Sequence, residues 1–230
     1  MRLKRAITSG ILMICLPLLI ITTVLRWEIN DIHLYKNGFE KYRISEVTGI
    51  DAKQLDDIAQ HLIDYFNLRI DTVQYTVVLK DRQIDLFSER GIMHFEDVRN
   101  LFQLDYRVQI LSFSLVIICV LVLLLGFRER WIVVLKSLFW GSIITVSFMA
   151  FLALLAVIGF ERLFVLFHTV SFSNQYWILD PSEDYIIMLL PEGFFFDAAL
   201  LCFGVVILVS LIIGIASFTA MRMRSNEKLA

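Results

Sequence analysis

The sequence contains little cysteine: its 230 residues include three, Cys15, Cys119 and Cys202. All three lie inside long apolar runs, so we interpret them as small buried hydrophobic residues. This position argues against disulfide partners and against metal ligands. The polar stretches between the runs have no cysteine, so no disulfide is expected to hold those stretches together.

Long basic tracts are also absent, and the formal net charge is −2. Nucleic acid is therefore not an expected partner. The common catalytic signatures GxSxG, HExxH, the Walker loop and GxGxxG do not occur. The triplet His94–Glu96 matches the H-x-E of zinc deaminases, but the P-C-x-x-C partner motif is missing, so we interpret the match as chance. We expect no cofactor and no metal site.

Apolar residues dominate what is present. They make up 58% of the chain, and the mean hydropathy is +0.72. About 20 apolar residues are needed to cross a bilayer, and four stretches reach that length. We predict transmembrane helices over 1–26, which has a basic start, and over 108–126, 132–160 and 198–220. Lys136 lies close enough to the end of the third helix to reach the membrane interface.

Short basic flanks predict the orientation of these helices. They lie at the N-terminus, in the turn 127–131 and in the tail 221–230, and comprise Arg2, Lys4, Arg5, Arg128, Arg130, Arg222, Arg224 and Lys228. All fall on one side of a four-span protein, which predicts cytoplasmic termini and two extracellular segments, 27–107 and 161–197. No small-x-small cleavage site follows the first stretch, so we favour a retained anchor over a signal peptide.

The first extracellular segment has mixed secondary-structure patterns. Asp51 is a predicted N-cap for an amphipathic helix over Ala52–Leu68. Residues 72–79 and 84–87 predict a small hairpin with its turn at Asp81-Arg82. A helical pattern resumes at Gly91 and leads into the second span. The predicted fold class is a mainly α membrane protein with four transmembrane helices and a small α+β extracellular domain formed by both outer segments.

The second extracellular segment is short and very aromatic, which is typical of the membrane–water interface. Asp180-Pro181 is expected to start a turn, and Pro191 to precede the fourth span. If the third helix continues past Glu161, His168 stands one or two turns outside the membrane.

Four histidines are the remaining candidates for chemistry. His33 is expected at the membrane interface and His61 on a solvated helix face. His94 and His168 each lie a short distance outside a predicted span, with Glu89 and Asp97 near the first and Asp180 near the second. A neutral imidazole near pH 7 is suited to proton transfer. From spacing alone, however, an ordinary structural role for both histidines remains the more frequent case.

Four short motifs, in their order along the chain, resemble the lipoprotein intramolecular transacylase family of small membrane proteins in low-GC Gram-positive bacteria. They are YKNGFEKY (Tyr35–Tyr42), GIMHFEDVRNLF (Gly91–Phe102), FHTVSFSNQYWILDP (Phe167–Pro181) and LLPEGFF (Leu189–Phe195). The resemblance covers nearly the whole chain and includes the four-span layout. Gly91 departs from the pattern, because a polar or charged residue is expected there, and this weakens the case for a third acid.

The resemblance implies an acyltransferase that moves the sn-2 acyl chain of an S-diacylglyceryl group to the α-amine of the N-terminal cysteine, giving a lyso-form lipoprotein. Its implied partners are the diacylglyceryl lipoprotein and membrane lipids, without acyl-CoA. The family's two functional histidines fall on His94 and His168, at the extracellular membrane interface.

Intramolecular ester aminolysis suits these residues, because a tethered amine and ester need mainly orientation and proton transfer. We take His94 as general base and His168 as the polarising or protonating group, with the reverse assignment left open. Asp97 and Glu89 are supporting candidates. Asn174, Trp177, Tyr176 and backbone amides near Asp180 are candidate oxyanion donors. The competing interpretations are a non-enzymatic membrane sensor or accessory protein, and a metal-dependent outer-leaflet hydrolase.

Overall fold

The structure is a computed structural model that describes residues 2–127, 131–180 and 184–226. Arg128 and Arg130 of the predicted turn, Pro181, and Lys228 of the predicted tail lie outside the described residues, as does the side chain of Arg224. The elements in chain order are α1 (Arg2–Asn30), α2 (Ile32–Lys41), α3 (Ile44–Thr48), α4 (Ala52–Phe66), β1 (Thr76–Leu79), β2 (Arg82–Asp85), α5 (Glu89–Leu121) with a π-helical turn (Val122–Gly126), α6 (Trp131–Ser171), α7 (Tyr185–Leu189) and α8 (Glu192–Asn226).

In the part of the chain that the structure describes, four helices are long and apolar enough to cross a membrane: α1, α5 with its π-helical turn, α6 and α8. The fold prediction of a mainly α membrane protein with four such helices and a small sheet is confirmed. The longest, α6, has 41 residues, or about 60 Å at 1.5 Å per residue. Since a bilayer core is about 30 Å thick, part of α6 must lie outside the hydrocarbon.

The chain divides into two compact units. The first unit contains Met1–Leu25, Asp105–Leu154 and Leu201–Ala230. One of its cores is formed by Leu16, Ile20, Val24, Met149, Cys202 and Val206, and another by Leu12, Cys119, Leu123 and Val134. The three cysteines are buried, as expected of small hydrophobic residues.

The second unit contains Arg26–Leu104 and Leu155–Leu200. Its centre is the apolar face of α4, which begins where the side chain of Asp51 accepts a hydrogen bond from the Gln54 amide. An ion pair of 2.7 Å joins Lys36 of α2 to Asp56 of α4. The predicted helix after Asp51 is confirmed. The buried residues of its apolar face are Leu55, Ile58, Ala59, Leu62, Ile63, Tyr65 and Phe66.

The predicted hairpin is present with a different turn. The strands β1 and β2 are antiparallel, and Leu79 pairs with Arg82. The two turn residues are therefore Lys80 and Asp81, both with positive φ, because a two-residue turn of this kind matches the twist of the strands. Arg82, predicted in the turn, lies in β2.

Two further differences concern α6 and His61. The third apolar helix does continue past Glu161, as far as Ser171, although its backbone leaves helical geometry at Gly159 (φ −171°, ψ 75°). His61 does not lie on a fully solvated face: it is half-buried, its Nε2 lies 3.1 Å from the carbonyl oxygen of Val73, and its ring packs against Tyr75. The helical period placed His61 correctly on α4, but could not foresee that the segment after α4 folds over it.

Candidate active site

Two buried histidines meet in the second unit. His94 lies in the second turn of α5 and is 8% exposed, and His168 lies in the last turn of α6 and is 7% exposed. Their ring centroids are 5.8 Å apart, and the ring planes are inclined by 35°. The structure therefore brings together the two candidate catalytic residues that the sequence pointed to.

The tautomer of His168 follows from its hydrogen bond. Its Nδ1 lies 2.8 Å from the carbonyl oxygen of Phe164, one turn earlier in α6. A carbonyl oxygen only accepts hydrogen bonds, so Nδ1 carries the proton. In the neutral ring, Nε2 is then an unprotonated acceptor with its lone pair available.

His94 has a different hydrogen-bonding state. Its Nδ1 is buried and has no hydrogen-bond partner among the residues that the structure describes. Buried polar atoms are normally paired, because leaving one unpaired costs about 1–3 kcal/mol. An unpaired ring nitrogen beside a second histidine is an open position for a polar group of a ligand.

Burial keeps both imidazoles neutral. Desolvation and, to a smaller extent, the neighbouring His168 together lower the pKa of His94 to about 4, although the carboxylate of Asp97 opposes both effects. Desolvation also lowers the pKa of His168, but the hydrogen bond to the Phe164 carbonyl raises it. Both rings are therefore uncharged at pH 7, and the hydrogen bond helps His168 to retain basicity.

Aromatic rings surround the pair. The ring of Phe172 lies edge-on to His94 at 5.3 Å between centroids. His168 packs against Phe164 at 4.3 Å and against Trp177 at 5.0 Å. These rings come from α6 and from the chain immediately after it, and their apolar surfaces account for the desolvation of both imidazoles.

A hydrogen bond joins Asp97 of α5 to the segment after α6. Asn174 Nδ2 donates to Asp97 Oδ2 at 2.8 Å, and Asn174 Oδ1 accepts from the Tyr176 amide at 3.0 Å. Asp97 therefore lies beside the histidines, while Asn174 holds the loop that carries Trp177. Among the described residues the indole N–H of Trp177 has no hydrogen-bond partner, which leaves it available as a donor.

The structure does not bring the other two supporting candidates to the histidines. Glu89 is exposed in the first turn of α5. Asp180 is exposed, and its amide donates to Asp184 Oδ2 at 3.0 Å, so this backbone amide is already used. Both residues are close to a histidine in sequence, but their side chains are exposed, whereas both imidazoles are buried.

The sequence reasoning missed the contacts that join the start of α5 to the second aromatic segment. Ser88 Oγ donates to Asp184 Oδ1 at 2.8 Å and also accepts from the Gly91 amide as a helix cap. Arg90 donates to the carbonyl oxygen of Gln175. A serine three residues before Gly91 is a recognisable cap signal, but no local pattern reveals its partner Asp184.

Gly91 has a steric explanation. A Cβ placed there would lie 2.7 Å from Cδ1 of Ile186 in α7. The side chain of Ile186 occupies the space in which a polar residue had been expected, so the absence of a third acid at this position is part of the packing.

A shallow cavity of about 260 Å³ opens beside the histidines. Phe172 belongs to its lining and also contacts His94. Its polar lining residues are Asp97, Asn100, Ser171, Ser173 and Asn174, and its apolar ones include Leu101 and Leu104. Within residues 2–127, 131–180 and 184–226 there is no group of three or more His, Cys, Asp or Glu side chains that could hold a metal ion.

Comparison with protein families gives one match over most of the chain. The model of the family described as lipoprotein intramolecular transacylase Lit matches residues 10–195. A curated protein of Aquifex aeolicus (strain VF5), described only as uncharacterized, is 28% identical over 134 residues. That alignment spans 56% of this chain and 57% of the relative, so the chain matches little more than half of that protein's length.

Solved structures are similar over nearly the whole chain. The in meso structure of the membrane integral lipoprotein intramolecular transacylase Lit from Bacillus cereus has a TM-score of 0.78 and 26% identity, covering 99% of each chain. A second structure of that protein, with a histidine replaced by arginine, has a TM-score of 0.73 and 25% identity, covering 98% of this chain and 93% of that one.

Proposed function

Because the chain belongs to the lipoprotein intramolecular transacylase family, whose model matches residues 10–195, we propose that it converts diacylglyceryl lipoproteins to the lyso form. In this reaction the sn-2 acyl chain moves from the glyceryl oxygen to the α-amine of the N-terminal cysteine. The substrates are the lipoprotein and its own acyl chain, and no acyl-CoA takes part. The observation that carries the proposal is the buried pair of neutral histidines with complementary hydrogen-bonding states.

His168 is the general base in this proposal. Its Nδ1 proton is committed to the Phe164 carbonyl, so Nε2 can accept a proton from the attacking amine. This reverses the assignment favoured from sequence, in which His94 was the base. The reason is that burial lowers the pKa of His94 to about 4, whereas the Phe164 hydrogen bond raises that of His168 against burial.

His94 acts as a neutral hydrogen-bond donor to the carbonyl oxygen as negative charge develops there. Its unpaired Nδ1 can take up this role if it carries the ring proton, because a neutral imidazole can polarise a carbonyl. Trp177 supplies a second donor candidate. Preorganised donors in a dry site contribute most when charge develops in the transition state.

The proton and bond changes balance without another reactant. The amine attacks the ester carbonyl, the C–N bond forms, and His168 removes the ammonium proton. The C–O bond to glycerol then breaks, and the same proton passes to the glyceryl oxygen. Asp97 lies near His94 and favours positive charge there, so it orients the site without reacting.

The membrane arrangement belongs to the same proposal. The proposed spans are 1–26, 108–126, 132–160 and 198–220, and the basic flank of Arg2, Lys4 and Arg5 supports a cytoplasmic N-terminus. The C-terminus then also lies in the cytoplasm, and 27–107 and 161–197 lie outside. The histidines are thereby close to the headgroups, where the reacting ester of a membrane-anchored lipoprotein lies.

The decisive test is fragment-ion mass spectrometry of a reporter lipoprotein from cells that make only the diacyl form. The total mass does not change, so fragment ions must locate the chain. With the wild-type protein the chain is expected on the cysteine nitrogen, and with His94→Ala or His168→Ala it stays on glycerol. His33→Ala is a matched control, because His33 is exposed, and it should retain conversion.

Two other outcomes would replace the proposal. An unchanged diacyl form despite confirmed expression of the wild-type protein would favour a sensor or accessory protein. Loss of an acyl chain from the lipoprotein, abolished by a chelator, would favour a metal-dependent hydrolase.

A further inference from the structure

The outer part of α6 has an apolar face that no described residue covers. After the backbone break at Gly159 come the exposed residues Glu161 and Arg162, and the helix then becomes apolar again. Val170 is 79% exposed, and Leu166 and Phe167 are at least half exposed. We call Leu166, Phe167 and Val170 the 166–170 patch.

Water is a poor environment for this patch, because exposed contiguous apolar surface usually marks a binding or membrane site. If α6 continued straight outward from Glu161, Val170 would lie about 14 Å farther out, at 1.5 Å per residue. The break at Gly159 allows a change of direction instead. The patch also lies on α6, one of the helices that are long and apolar enough to cross a membrane, and this identifies hydrocarbon chains as its natural cover.

The patch reaches the histidine site through one aromatic ring. His168 is buried, whereas Leu166 and Val170 lie about 160° around the helix from it, at 100° per residue. Phe167 lies between these two faces: it is 50% exposed, and its ring contacts His168 edge-on at 5.5 Å between centroids. A hydrocarbon chain that lies on the patch therefore reaches His168 by passing over Phe167.

We propose that the 166–170 patch binds the acyl chains of the diacylglyceryl lipoprotein and guides the ester to His168. This inference rests on the proposed function for the identity of the lipid. It adds an access route on one helix face, with Phe167 as the residue at which the chain turns inward.

Photo-crosslinking tests the occupant. The full-length protein carries p-benzoylphenylalanine in place of Phe167, in phosphatidylglycerol vesicles that contain a diacylglyceryl-cysteinyl lipopeptide. The control is the same replacement at Phe151, which is on the same helix and 55% exposed. We expect the ratio of captured lipopeptide to captured phospholipid to be about tenfold higher at 167, a difference of about 1.4 kcal/mol in affinity.

Equal ratios at the two positions would mean that the patch contacts bulk lipid only, and would overturn the proposal. Absence of lipid adducts at 167, with adducts at 151, would also overturn it. The crosslink does not require turnover. Capture of lipopeptide by a protein whose wild type never converts it would therefore refute the transacylase assignment and leave the binding surface standing.

A kinetic test uses residues that do not touch the histidines. Val170→Asp should raise KM for the lipopeptide by about tenfold with kcat nearly unchanged, because a charge is unfavourable in contact with acyl chains. Val170→Leu keeps an apolar side chain at this position and should recover most of the affinity that Val170→Asp loses. Val47→Asp makes the same change at an exposed valine of α3 and should leave both constants unchanged. A fall in kcat alone for Val170→Asp would contradict an access role.

Discussion

Certain buried polar groups of the two units differ in how their hydrogen bonds are satisfied. In the first unit, Thr145 Oγ1 donates to the Gly141 carbonyl at 2.8 Å and Ser142 Oγ to the Leu138 carbonyl at 2.9 Å. These hydroxyls are satisfied by their own helix. In the second unit the burial of His94 leaves Nδ1 without a partner among the described residues. The contrast indicates which polar groups maintain structure and which remain available to a substrate.

Ser210 sharpens this comparison, because its Oγ in the first unit is also buried without a partner in the described part of the chain. It lines a mostly apolar depression with Phe139 and Gly214, and no titratable residue belongs to that lining. An unpaired buried atom is therefore not enough for catalysis. The site in the second unit differs from Ser210 in two ways: His168 lies beside the unpaired nitrogen of His94, and the tautomer of His168 is fixed.

The largest expected effect separates the unpaired nitrogen of His94 from the unpaired hydroxyl of Ser210. His94→Ala and His168→Ala should each lower the transacylation rate by about 10²–10⁴-fold, the usual contribution of a positioned proton-transfer group. Ser210→Ala should leave the rate unchanged. The measurement is the initial rate of N-acyl product formation in detergent micelles. A comparable loss for Ser210→Ala would show that disturbed packing, and not chemistry, accounts for the histidine effects.

Acid should destabilise the second unit before the carboxylates titrate. The pKa of His94 is about 4 in the folded protein and about 6.5 when unfolded, so the unfolded state binds the extra proton first. Stability is complete above about pH 6.5 and declines as the pH falls toward 4, by about 3 kcal/mol from His94. Thermal unfolding from pH 8 to 4 should show this slope, and His94→Phe should reduce it. Parallel slopes for both proteins would contradict the assignment.

Alanine substitutions at two glycines, Gly38 in the second unit and Gly204 in the first, should have different effects on stability. A Cβ at Gly38 would collide with the buried ring of Phe194, and one at Gly193 would lie 2.6 Å from the ring of Tyr42. Gly38→Ala should therefore cost about 1–3 kcal/mol of unfolding free energy through overpacking. Gly204→Ala in the first unit meets nothing within 4 Å and should be neutral or slightly stabilising. Thermal unfolding compares the two, and equal shifts would show that the contact at Gly38 relaxes at little cost.

The smallest effect concerns the link between α2 and α8. Tyr42 donates to Asp197 Oδ2 at 2.7 Å, and Lys41 pairs with the same carboxylate oxygen. Tyr42→Phe should lower the unfolding free energy by about 1 kcal/mol, the net value of one hydrogen bond. Ser137→Ala, which removes a hydroxyl contact with Ser9 in the first unit, is the comparison. A loss above about 3 kcal/mol for Tyr42→Phe would mean that the ring itself, not the hydrogen bond, carries the link.

Much of the fold followed from local patterns. The apolar lengths predicted four membrane helices, and Asp51 before an amphipathic run predicted α4. The helices α2, α3 and α7 were not predicted, since each is short and gains its stability from packing. The predicted turn of the hairpin was wrong by one residue, because Lys80 and Asp81 both adopt positive φ. Neither residue type by itself indicates that conformation in a sequence.

The residue types of the candidate site were predictable from the sequence, but the hydrogen bonds that connect distant segments around it were not. The histidines were found because they are few and lie just outside apolar spans. Glu89 and Asp180 were included because they are close in sequence, yet both are exposed. The links from Ser88 to Asp184 and from Asn174 to Asp97 join residues 96 and 77 positions apart, and no sequence period reports a contact over that separation.

By itself, the sequence determined the number of membrane helices, because hydrocarbon accepts only long apolar segments with internally bonded backbone. It also determined which residues could transfer protons. The tertiary structure decided that His94 and His168 meet, that burial holds both neutral, and that the Phe164 carbonyl fixes the tautomer of one. These properties depend on distances and on excluded water, which exist only once distant segments have packed around the pair.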